Sequence, residues 1–260
     1  SFMSSVGMPV GWFFLLIAGI YFGNMCVACR KMFPNDTLFV LLMCLAAFST
    51  FSYGTNGIKA GAAASIFLVA LAYQDKLRVA IPMALISWGF HHSMMMVVIA
   101  FVVTRFIRSP RVYYALWIVS VLLAVFHITW FQEIFSIFSD EVGQSYLDDF
   151  DFRDGFRLDF VLYSAMPVLV GYFAVFRKNI KSRFYISLLN MYLLTNTVWM
   201  LCMYASFTNR IAYLSWFMYP VVLIYPFLKE NWGIKQFHSA KLVSYAHMAF
   251  TLFMAFIYYK

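Results

Sequence analysis

Long apolar runs interrupted by short polar clusters set the pattern of this chain from end to end. The runs span approximately residues 9–29, 37–53, 58–74, 112–130, 158–176, 184–205, 211–228 and 241–258. Each of the eight holds roughly 17 to 22 residues, the length a helix needs to cross a hydrocarbon layer about 30 Å thick. Every peptide group inside that layer needs an internal partner, and a helix supplies one for each of its residues. The pattern therefore predicts an all-α polytopic membrane protein of about eight transmembrane helices, organised as one transmembrane domain over residues 1–260.

A ninth apolar segment, 79–104, does not fit this scheme. Basic residues flank it on both sides, yet it has only about 26 residues, where two full crossings need about 40. A single crossing would invert every later loop against the rule that Lys and Arg accumulate on the cytoplasmic side. A re-entrant hairpin of two half-helices, turning at Trp88, Gly89, Phe90, His91 and His92, removes the conflict. One long tilted helix with an aberrant loop is the alternative. Irregular backbone at membrane depth has to be buried in protein or face a wet cavity.

Composition agrees with the pattern: 63% of residues are hydrophobic, 12% are charged and the mean hydropathy is +0.78. The net charge of +8 is spread between spans rather than along one face, so it signals topology and no nucleic-acid partner is expected. Five clusters (Arg30 and Lys31; Lys76 and Arg78; Arg105, Arg108 and Arg111; Arg177, Lys178, Lys181 and Arg183; Lys229, Lys235 and Lys241) fall on the predicted cytoplasmic side. That places 14 of the 19 basic residues inside and leaves Lys59, Arg153, Arg157, Arg210 and Lys260 outside. Eight of the 11 acidic residues fall in one external segment, 131–160, the single long periplasmic loop expected here. It opens with FQEIFSIF, an amphipathic stretch suited to the membrane interface. Cys26, Cys29, Cys44 and Cys202 lie in apolar runs and read as packing residues, and GAAAS at 61–65 reads as a close helix contact. The first residue is Ser and no signal peptide precedes the first run, so upstream N-terminal helices are expected to be missing.

Candidate chemistry lies among the external residues. Lys59, Arg153, Arg157 and Arg210 stand at helix ends, where they could snorkel or pair with acidic residues, or could together bind an anion such as a diphosphate. In FRDGFRLDF, residues 152–160, Arg153 and Arg157 would share one helix face. The segment reads either as a salt-bridge ladder or as an anion site with Asp154 or Asp159 free to handle a proton. His91 would be a proton-handling group or a helix-to-helix hydrogen bond. No metal site is expected, because His91 and His92 have no Glu or Cys at ligand spacing. His127 reads as a packing residue near the outer side, and His238 and His247 receive no chemical role.

Four segments carry a family resemblance: YGTNGIKAGAAASIFLVALAY at 53–73, WGFHHSMMM at 88–96, GFRLDFVLYSAMP at 155–167 and NRIAYLSWFMYPVVLIYPFLK at 209–229. They resemble the EpsG-like, Wzy-type polymerases of bacterial O-antigen and exopolysaccharide, from about residue 35 to 229. The resemblance implies a GT-C-like architecture in the bacterial inner membrane, with an active site facing the periplasm. It implies a glycosyltransferase needing neither metal nor cofactor, acting on undecaprenyl-diphosphate-linked oligosaccharide as donor and acceptor, with membrane lipids and a chain-length regulator protein as further partners. The family's basic position falls on Lys59, where Arg is more usual, so the charge is retained and the bidentate fork is lost. Its FHxS element falls on Phe90, His91 and Ser93, its GFRxDF element on Arg157 and Asp159, and its NRxAYLSW element on Arg210. The implied roles are diphosphate binding by Lys59, Arg153, Arg157 and Arg210, and proton transfer by His91, Asp154 or Asp159. A lipid-linked-sugar transporter and an O-antigen ligase or membrane acyltransferase are the competing readings.

Overall fold

The computed structural model describes residues 10–131, 155–205 and 208–258, and those residues form helices, turns and no strand. In chain order the helices are α1 (Val10–Met32), α2 (Thr37–Leu45), α3 (Phe48–Thr55), α4 (Ile58–Ala72), α5 (Leu77–Phe90), α6 (Met94–Phe106), α7 (Pro110–Val125), α8 (Leu158–Tyr172), α9 (Arg183–Leu201), α10 (Thr208–Trp216), α11 (Tyr219–Lys229) and α12 (Gln236–Tyr258). A wider π turn, Phe173–Arg177, continues α8.

Among the described residues, five stretches are long and apolar enough to cross a membrane: Val10–Met32, Leu158–Arg177, Arg183–Leu201, Thr208–Lys229 and Gln236–Ile257. A sixth is added if α2 and α3 form one span bent by 70°. The protein is therefore a multi-pass membrane protein, but the expected eight spans are not all matched. Two of them, α4 and α7, are helices of 15 and 16 residues. Tight turns shorten both: α4 is held between Asn56–Gly57 and Tyr73–Lys76, and α7 stops before His127, whose backbone is left-handed at φ 56°.

The α2–α3 bend also departs from the single run expected over 37–53. Ala47 adopts an extended conformation, φ −72° and ψ 141°, and breaks the helical ladder. The backbone groups freed by the break find other partners, as a low-dielectric setting requires. The Thr50 hydroxyl donates to the Cys44 carbonyl at 2.6 Å. Phe48 N donates to the Tyr163 hydroxyl at 3.2 Å, and His247 Nε2 lies 3.1 Å from the Met43 carbonyl. His247 is thus a buried structural partner of the bend.

The small residues of 61–65 pack as expected. Gly61, Ala62, Ala63, Ala64 and Ser65 are all buried, and α4 lies between α1 and α5. A Cβ on Gly61 would come within 2.8 Å of Tyr53 Cβ and 2.9 Å of the Tyr53 carbonyl, so the α3–α4 turn can close this tightly only around glycine. The four cysteines are free thiols.

Segment 79–104 forms the hairpin. Its limbs are α5 and α6, about 21 and 20 Å long at 1.5 Å per residue, and each is too short to cross alone. Three contacts with α4 and the turn after it fix the reversal of direction. Ser87 in the last turn of α5 donates to the Ala63 carbonyl at 2.7 Å. Phe101 in α6 meets the Phe67 ring at 6.0 Å between centroids, and Arg105 at the end of α6 donates to the Gln74 carbonyl. The chain thus ascends along α4 and descends again to the level where it started. The turn expected at 88–92 falls at His91–Ser93, a displacement toward its C-terminal edge.

All five basic clusters meet at one end of the bundle. Lys31 lies over Tyr73 at 5.3 Å, Lys229 over Phe33 at 6.0 Å and Lys178 over Trp232 at 5.8 Å. Gln74 donates to the Phe184 carbonyl, and Asn190 to the Arg108 carbonyl. This basic end is the one the charge rule assigns to the cytoplasm.

Candidate active site

At the opposite end of the bundle, four helices of the described residues begin: α4, α6, α8 and α10. Each carries a candidate residue at or beside its first turn. Lys59 is the second residue of α4, His91 lies in the turn that leads into α6, Arg157 immediately precedes α8, and Arg210 is the third residue of α10. Helix N-termini present unpaired N–H groups and a positive dipole end. Four of them at one end of a low-dielectric bundle, with three cationic side chains, favour an anion there.

Aromatic contacts connect these starts. Tyr53 at the end of α3 lies edge-on to Tyr213 of α10 at 5.5 Å. Phe160 in the first turn of α8 lies edge-on to Trp216 at 4.9 Å, and Phe48 bridges Phe160, Tyr163 and Trp216. Helix α10 also touches α6.

Arg157 is the most closely held of the candidates. Its Nε donates to Asp159 Oδ1 at 3.0 Å and its Nη2 to Asp159 Oδ2 at 2.7 Å. Its guanidinium carbon sits 3.6 Å from the centre of the Phe160 ring. The two side chains are only 13% and 21% exposed, so water screens the pair weakly. Its backbone N–H donates to Met203 Sδ at 3.4 Å. Arg157 is the residue before the helix, not part of it, so the helical spacing expected between Arg153 and Arg157 does not continue through it. Asp159 sits in the first turn of α8, where the helix dipole favours a carboxylate. Arg153 and Asp154, and most of the loop expected over 131–160, lie outside the described residues.

His91 is half-buried, and its Nδ1 lies 2.7 Å from Ser93 Oγ. His92 beside it is exposed. Lys59 and Arg210 are exposed. The remaining histidines are elsewhere: His127 rests against Tyr204 at 4.0 Å, His238 is at the basic end, and His247 faces the bend. Among the described residues, no three His, Cys, Asp or Glu side chains form a metal-binding group.

Beneath the site is a buried polar network that reading by motif does not single out. Ser164 Oγ accepts from Trp216 Nε1 at 2.8 Å and from Asn196 Nδ2 at 3.0 Å. Asn196 Nδ2 also donates to Ser215 Oγ at 3.0 Å, and its Oδ1 accepts from Trp117 Nε1 at 2.8 Å. Helices α7, α8, α9 and α10 are tied together there. Trp199 Nε1 donates to Thr208 Oγ1 at 2.9 Å, and this hydroxyl donates to the Cys202 carbonyl at 3.2 Å, fixing the start of α10 two residues before Arg210. The only sequence signal was the presence of Asn and Ser inside apolar runs.

The sequence matches the EpsG family over residues 1–260, the whole chain. The chain belongs to the EpsG family. No curated protein and no solved structure matches it. Membership makes this EpsG-family chain a polysaccharide-polymerase-like membrane protein. This EpsG-family fold gathers cations, a histidine and a carboxylate at the end opposite its basic face.

Proposed function

We propose that this protein is an O-antigen or exopolysaccharide polymerase of the bacterial inner membrane, joining undecaprenyl-diphosphate-linked repeat units at the periplasmic face. In this reading the growing chain leaves its lipid carrier for a hydroxyl of the next lipid-linked unit. The anomeric carbon–oxygen bond to the diphosphate breaks, a new bond forms to the acceptor oxygen, and the hydroxyl proton passes to a base. Undecaprenyl diphosphate departs with the electron pair.

Arg157, Arg210 and Lys59 hold the diphosphate and stabilise its developing charge, with Arg153 as the fourth cation. Preorganised cations can do this without a metal, and no cofactor takes part. His91 is the proton acceptor, with Asp154 as the alternative carboxylate. Asp159, turned onto Arg157, orients that guanidinium. A membrane-embedded chain-length regulator is the expected protein partner.

The observation that carries the reading is the placement of Arg157. Its guanidinium is preset by a bidentate carboxylate and an aromatic face, at the same end of the bundle as the other cations and four helix N-termini. These contacts fix the orientation of a planar guanidinium, the side chain best suited to phosphate oxygens. Lipid-linked repeat units incubated with the protein and resolved on a gel provide the test. Arg157→Ala should abolish the ladder of long chains while single-unit capping persists, and normal long chains from this variant refute the assignment. Transfer of unaltered substrate across vesicles, with no ladder from the unmutated protein, would replace polymerase with carrier.

A further inference from the structure

Helix α7 starts at the basic end and stops at the opposite one, where the chain turns left-handed at His127, φ 56°. His127 N donates to the Ala124 carbonyl at 3.0 Å and Ile128 N to the Leu123 carbonyl at 2.9 Å. In this paired helix stop the left-handed residue is ordinarily glycine or asparagine, because most side chains are strained there. The stop does not call for histidine, so the imidazole is explained by its surroundings. Its ring lies against Tyr204, 4.0 Å between centroids and tilted by 50°. The Tyr204 hydroxyl donates to the same Ala124 carbonyl at 2.6 Å, so the phenol is tied to the helix end and backs the imidazole. His127 is nonetheless exposed.

His127 lies outside the cluster of helix starts, but the turn after α9 joins it to them. Met203, the residue before Tyr204, accepts the Arg157 N–H on its Sδ at 3.4 Å. Phe126 and Trp130, both exposed, flank His127 in sequence and mark the depth of the membrane interface, where aromatic side chains collect. A substrate anchored by a lipid tail carries its diphosphate at that depth and its sugars next to it. We infer that His127, backed by Tyr204, is a saccharide-binding subsite that takes a pyranose ring of the repeat unit beside the diphosphate at Arg157. The inference rests on the polymerase reading and names how that substrate's sugar is held. A pyranose presents a C–H face, which suits an aromatic ring, and a rim of hydroxyls. A neutral imidazole offers the ring, one N–H donor and one lone pair. Fixed by the left-handed turn and by Tyr204, it has little freedom to lose on binding, which favours affinity. Its role is recognition, and no proton is transferred.

The probe is the repeat-unit oligosaccharide released from its carrier by mild acid, which has neither lipid nor phosphate and so gives Arg157 no diphosphate to hold. Its binding to the full-length protein in lipid nanodiscs is measured by saturation-transfer NMR, beside the thermal midpoint of each variant. His127→Gly and His127→Asn both suit a left-handed position and should leave the midpoint unchanged. Oligosaccharide binding should weaken roughly three- to tenfold in both, the scale of one lost aromatic contact. Unchanged binding in the two variants, or no binding of the probe to the unmutated protein, overturns the subsite. A histidine that only packs gives a lower midpoint with unchanged binding, which overturns it too. The ladder assay separates the inference from the reading beneath it. A ladder from the unmutated protein with probe binding indifferent to His127 refutes the subsite and leaves the polymerase. Probe binding that depends on His127, with no ladder from the unmutated protein, supports the subsite and refutes the polymerase.

Discussion

Asp159 and Asn196 fix the candidate site at the scale of single residues, and each does so by satisfying a partner. The Asp159 carboxylate takes both arms of one guanidinium. Loss of that partner removes two charge-assisted hydrogen bonds from a largely buried arginine, which disturbs position as well as energy. Asp159→Asn should therefore weaken polymerisation less than Arg157→Ala in the same ladder assay, because the amide retains one acceptor for the fork. Equal, complete loss in both would instead make Asp159 the proton acceptor. Asn196 works deeper, accepting from Trp117 and donating to Ser164 and Ser215. Asn196→Leu breaks three bonds in a low-dielectric interior, each worth about 0.6 kcal/mol in comparable membrane bundles, or about 2 kcal/mol together. A lower thermal midpoint in detergent would measure this. The motif segments made Arg157, Arg210, Lys59 and His91 legible as candidates, because charge and imidazole are rare in apolar sequence. The Arg157–Asp159 ion pair belongs to the salt-bridge reading of 152–160, but its bidentate geometry was not legible, because that i to i+2 arrangement depends on a helix beginning at Leu158. Asn196 was not legible either, since a single polar residue in a span looks the same whether it lines a site or ties helices together.

At the scale of elements, the hairpin and the bend show what a hydrophobic pattern can and cannot specify. The hairpin over 79–104 followed from arithmetic: basic residues on both sides and too few residues between them for two crossings. The bend between α2 and α3 left no such trace, because Ala46 and Ala47 are ordinary helix formers. Its partners, His247 and Tyr163, are far away in sequence. Crossing length misled for a related reason, since α4 and α7 are shortened by turns whose residues sit inside apolar runs. The hairpin makes a sharp prediction for a chain freed of its four cysteines. Single cysteines introduced at Asp75 and Ser109 should react with a membrane-impermeant thiol reagent from the same side of sealed vesicles. Labelling from opposite sides would mean that the segment crosses.

At the scale of the whole molecule, charge and helix direction are sorted together. One end collects the basic clusters, each joined to its neighbours through aromatic rings or backbone carbonyls. The other collects the starts of α4, α6, α8 and α10. Composition alone suggested this sorting, and the contacts among distant clusters realise it. It also constrains the central helices. Trp117 meets Asn196, Arg108 meets Asn190 and Ala124 meets Tyr204, so α7 and α9 run parallel. Parallel neighbours cannot be joined by a tight turn, and here α8 passes between them in sequence. During synthesis α7 therefore reaches the bilayer well before the helix that shelters it. Until about 70 residues beyond Val125 have emerged, Trp117 has no amide to bond, and α7 waits in lipid as a short helix held by its apolar surface alone. A nascent chain arrested after Asn179 should leave α7 open to crosslinking by lipid-borne reagents. One arrested beyond Lys235 should shield it.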